Sequence, residues 1–135
     1  MSHYRRTEYG PFERGRTYEL EYRSRVDHRG VIVDRDLSAA ALQIRWRMWR
    51  PPATSPASFV LDVVATKISE SGGTAGATGL WKAIVAIPKD APLGTVIVET
   101  VLVDTGVADA DAPSGKREVP LDAPAQTAIV AAPTA

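Results

Sequence analysis

Apolar side chains alternate with a period of two along most of this chain, and glycine and proline break the pattern at short intervals. The stretch Leu42–Trp49 shows it most clearly: Leu42, Ile44, Trp46 and Met48 fall on one side, and Gln43, Arg45, Arg47 and Trp49 on the other. Only an extended strand places residues i and i+2 on a common face. A helical stripe through the same residues would carry arginine into the core. The pattern recurs at 17–26 (Tyr18, Leu20, Tyr22), 59–65 (Phe59, Leu61, Val63), 80–87 (Trp81, Ala83, Val85, Ile87) and 95–104 (Val96, Val98, Leu102). Shorter candidates lie at 31–33, 116–121 and 127–130. Between them stand turn signals: residues 27–30 ending in Gly30, Pro51-Pro52, the glycine-rich stretch 69–79, residues 88–94 with two prolines and a glycine, and the acidic stretch 106–115. The expectation is an all-β fold, an antiparallel β-sandwich of about seven strands.

A length of 135 residues suits one domain with a core of its own. The chain contains no cysteine, so neither a disulfide nor a thiolate metal site can hold it together. The core must do so, and the inward sets named above supply it, with Trp46 and Trp81 as central side chains. No run of about 18 apolar residues is available for a membrane-spanning helix. Residues 1–16 have no apolar segment of the secretory type, so no signal peptide is expected. Formal net charge is zero, which speaks against a general nucleic-acid binder. The charge is unevenly spread, however. Residues 1–50 carry eleven arginines against seven acids, hence +4; residues 51–135 carry five basic residues against nine acids, hence −4. Such a split can steer copies of a chain onto one another.

The first 16 residues show neither period and mix aromatics with arginine. They read as an N-terminal arm, followed by the sandwich over 17–131 and a short tail over 132–135. Tyrosine and arginine are favoured contact residues, so Tyr4, Arg5, Arg6, Tyr9 and Phe12 are the arm's candidate anchors. A second candidate surface is the polar side of the strand Leu42–Trp49, where Trp49 stands beside Arg45 and Arg47.

Signals for chemistry are weak. His3 and His28 are the only histidines, one in the arm and one in a turn, and no nucleophile elbow accompanies them. Asp34 with Asp36, and Asp104 with Asp109 and Asp111, lack the glycine and glutamate spacing of a calcium loop. The glycines at 72–76 are not followed by the lysine of a phosphate-binding loop. No catalytic residue, metal ligand or cofactor is assigned, and the chain is not expected to be an enzyme.

Two segments carry a resemblance. Residues 14–50, with Gly30, the pair Asp36-Leu37 and the alternating strand 41–47, resemble the start of immunoglobulin-like domains in bacteriophage tail and baseplate proteins. The passage Gly79-x-Trp81, Ile87-Pro88 and Ala91-Pro92-x-Gly94-Thr95 is similar to a strand-turn-strand passage of bacterial and phage immunoglobulin-like domains. The resemblance implies an immunoglobulin-like sandwich in a virion structural protein of the tail, baseplate, neck or capsid surface. Such a protein is made in the host cytoplasm and acts through contacts with other virion proteins or copies of itself. A carbohydrate-binding or adhesive module, with Trp49 as platform for a surface glycan, is the alternative expectation.

Overall fold

The computed structural model describes residues 11–51, 59–121 and 124–132, and these form strands and turns with no helix. Eleven strands occur among them: β1 (Phe12–Glu13), β2 (Thr17–Arg23), β3 (Arg25–His28), β4 (Val31–Asp34), β5 (Leu42–Trp49), β6 (Phe59–Val64), β7 (Thr66–Lys67), β8 (Leu80–Ala86), β9 (Gly94–Ala108), β10 (Lys116–Pro120) and β11 (Ala125–Val130). The count exceeds the seven expected because short pieces escape a periodicity argument. Two residues, as in β1 or β7, cannot show a period.

The first sheet runs β1-β11-β9-β5-β6. β9 is 15 residues long. β5 pairs along one edge of it, while β11 and then β10 share the other. The second sheet is β2-β8-β7, and β3-β4 is a separate hairpin. All pairings are antiparallel except β1 with β11, where Phe12 lies opposite Ile129.

Side chains from both sheets enter one core. Ile44, Trp46 and Met48 of β5, Val96 and Val98 of β9, and Ile129 of β11 come from the first. Trp81, Ala83 and Val85 of β8 come from the second. The alternation on β8 is strict, because Lys82, Ile84 and Ala86 stand outside while their neighbours are buried. Each large side chain so enclosed contributes roughly 1.5–3 kcal/mol. Phe12 joins this core rather than an arm. It is 3% exposed and meets Tyr18 and Trp46 edge-on, with ring centroids 5.0 and 5.7 Å away. Backbone bonds from Gly15 to Ile87 and from Ile87 back to Arg16 continue the tie. The segment expected as an arm over 1–16 is therefore part of the fold from Phe12 onward.

The strand expected over 17–26 divides at Ser24. Ser24 turns inward and exchanges backbone bonds with Gly79 and Arg35. The chain then leaves the second sheet as the β3-β4 hairpin. Its two-residue turn, Arg29-Gly30, has both φ angles positive (56° and 84°), as a tight hairpin of this twist requires.

The glycine-rich stretch 69–79, a turn signal in the sequence, is held by its own chain. Gly76 accepts from Leu37 and donates to Ile68, and Ile68 donates to Leu80. Glu70 receives both arms of the Arg23 guanidinium at 2.7 Å, together with the Thr78 hydroxyl. Arg23 is the first cause that brings the Glu70 carboxyl down to about 2.

A candidate docking site on the outer face of the large sheet

β5, β9 and β10 point alternate residues away from the core, among them the charged Arg45, Arg47, Glu99 and Glu118. Arg47 lies opposite Glu99 of β9 and Asp62 of β6 in register. β10 runs along the far edge of β9, with Glu118 opposite Val103. The β9-β10 connection is drawn in by Glu118, whose carboxylate also accepts from the Ser114 backbone N–H at 2.9 Å.

Arg47 closes this face. Its Nη1 and Nη2 donate to the two Glu118 oxygens at 2.5 and 2.9 Å. Its Nε lies 3.4 Å from Asp62 Oδ2, and its guanidinium sits 5.1 Å from the Phe59 ring centroid. Asp62 also takes Arg45 at 3.1 Å. A fork-to-fork arginine–carboxylate pair of this kind is among the stronger polar contacts. Burial disfavours the charge on both partners. The contacts outweigh it, so the Arg47 guanidinium is held above its usual value and the Glu118 carboxyl falls to about 2. Val101 and Val103 are 3% and 1% exposed beneath this layer and form a small apolar floor apart from the main core.

Glu99 differs from its neighbours. It is half-buried and makes no hydrogen bond or ion pair with a described residue. Burial pushes its carboxyl upward, against the pull of Arg47 and with a further push from Glu118. Around it opens a pocket of about 320 Å³. Trp49 and Phe59 form one wall, with ring centroids 6.0 Å apart. Pro113 and Pro120 form the opposite rim, and Val101, Arg47 and Glu118 complete the lining.

The sequence-derived candidates are spread differently from expectation. Trp49 does border the pocket, and Arg45 stands half-exposed beside it. Arg47 is 1% exposed and buttresses the face instead of presenting itself to solvent. Phe12 lies in the core on the other side of the sheet. Tyr4, Arg5, Arg6 and Tyr9 lie outside the described residues. Periodicity assigned Phe59 to the inward set and left Glu99 and Glu118 unremarked. Only the opposition of Arg47 to acids on three other strands could have singled them out, and strand pairing is not written in local spacing.

The acidic pairs have structural roles. Asp34 pairs with Arg25 and Arg23. Asp36, Asp104 and Asp109 each accept a backbone N–H two residues on, the turn-forming habit of aspartate. Among the described residues, no three histidines or acids gather as a metal-ligand set. No family model matches the chain, and no curated protein matches it.

Proposed function

We propose that this chain is a non-enzymatic structural protein of a phage particle, in its tail, baseplate, neck or capsid surface, acting through protein–protein contacts. The observation that carries the contact reading is the outer-face pocket. It combines a half-exposed tryptophan, two prolines and a carboxylate without a hydrogen bond or ion pair among the described residues, on a sheet locked by ion pairs. Central aromatic side chains in small pockets are the usual anchors of protein interfaces. The rigid sheet beneath keeps the geometry fixed, which lowers the ordering cost of docking.

The placement in a phage particle draws on the resemblance of residues 14–50 and 79–95 to phage immunoglobulin-like domains. The pairing order supports an immunoglobulin-like sandwich. β2 with β8 and β7 makes one sheet, and β5 with β9 and β11 is the heart of the other, with the buried Trp46 on β5. The β3-β4 hairpin and β10 are additions to that plan.

The test is the protein composition of purified phage particles. The expected result is this chain at many copies per particle, retained after high-salt washing. Its absence from particles, with binding to a glycan array abolished by Trp49→Ala, would replace this reading with the adhesive one.

A further inference from the structure

We infer that the outer-face pocket receives an arginine side chain, supplied by the N-terminal segment (residues 1–10) of a second copy of this chain. The inference rests on the protein-contact reading and names the partner for it. Two arginines, Arg45 and Arg47, face three carboxylates here, and Asp62 and Glu118 are already engaged. Glu99 is the carboxylate left over. An incoming cation would neutralise it, whereas an anion would meet Glu99 and Glu118 together. The walls suit the same guest. Arg47 already lies against Phe59, and Trp49 offers the stronger cation-binding ring. The prolines can flank the aliphatic stem of an arginine, whose planar head matches a carboxylate fork. A volume of about 320 Å³ stands at the lower end of small-ligand pockets, which fits one or two side chains better than an extended glycan.

Arg5 and Arg6 stand in the ten residues that precede the described chain. For the same copy to supply them, most of its segment would have to run extended from Phe12. Phe12 is level with Ile129 and Gly94, two strands and five residues away from Glu99. That separation is roughly 20 Å, and the six residues from Arg6 to Phe12 span about 20 Å when extended, so a guanidinium of the same copy reaches the pocket only with most of the segment ordered and extended. A neighbouring copy meets no such restriction.

Sedimentation equilibrium of the full chain tests this, using the wild type, Arg5→Ala/Arg6→Ala, Glu99→Gln and the combined variant. The wild type should self-associate at low salt. The arginine pair and Glu99→Gln should each weaken association about tenfold, with no further loss in the combined variant. Thermal unfolding of Glu99→Gln should stay close to the wild type, because Glu99 makes no hydrogen bond or ion pair with a described residue. Association indifferent to both sites would overturn the inference. So would a monomer in which Arg5 and Arg6 shield Trp49 from a soluble quencher, since the guest would then be the chain's own segment. A monomer at every concentration would also overturn it while leaving the proposed function intact, because particle composition tests that separately.

Discussion

Arg47 is a charged residue that packs like a core residue. The alternation of β5 assigns it correctly to the side opposite Trp46, and from sequence that side reads as solvent. It is enclosed because Glu118, 71 residues later, reaches it from β10, and such a contact leaves no local trace. The cost of desolvating the pair is offset only while both partners are present. Glu118→Gln is therefore expected to destabilise the fold at neutral pH by about 2 kcal/mol, a figure reduced for partial solvent screening. The pH dependence follows from the depressed carboxyl. Its contribution is complete above the ordinary glutamate value near 4.5 and disappears as pH falls through about 2. Urea unfolding of the wild type should thus lose stability between about pH 5 and pH 2. Glu118→Gln should show a shallower decline, and parallel curves would exclude this pair as the source. Glu70, also near 2 beside Arg23, contributes in the same direction and remains in both proteins.

At the level of elements, the long strands were readable because their faces differ. The bounds of β5 agree with the alternation residue for residue, and β6, β8, β10 and β11 agree to within a residue or two. What composition does not show is how the stretch 69–79 is held. Glycine and serine suggest freedom, yet Gly76 and Gly79 are placed where other residues do not fit. Gly79 has φ +78°, and a Cβ there would stand 2.8 Å from the Arg35 carbonyl oxygen and closer still to that of Ser24. Those carbonyls belong to the backbone on either side of the β3-β4 hairpin, so the glycine is what lets the hairpin's base meet β8. Gly79→Ala is expected to cost about 2–3 kcal/mol, measured as a shift in the urea midpoint at constant slope. An unchanged midpoint would mean that this junction is not fixed in solution. The exposed apolar strip of β4, with Val31, Ile32 and Val33 at 61%, 44% and 38% exposure, stands on the far side of that junction.

Over the whole molecule, the all-β class and the identity of the central side chains were legible, since Trp46, Trp81, Val85, Val96 and Val98 are all buried. The pairing of strands and the layer over the large sheet were not, because both depend on contacts between distant segments. From those contacts comes the central claim: a rigid β scaffold offering one face, the pocket edged by Trp49, Phe59 and Glu99, to other proteins. Amide hydrogen exchange, compared between the free chain and the chain in the proposed phage particle, tests it most directly. The account predicts added protection at residues 49, 59 and 97–101, with the core strands β8 and β11 unchanged. Added protection confined to the β3-β4 hairpin, or to the glycine-rich stretch 69–79, would contradict it.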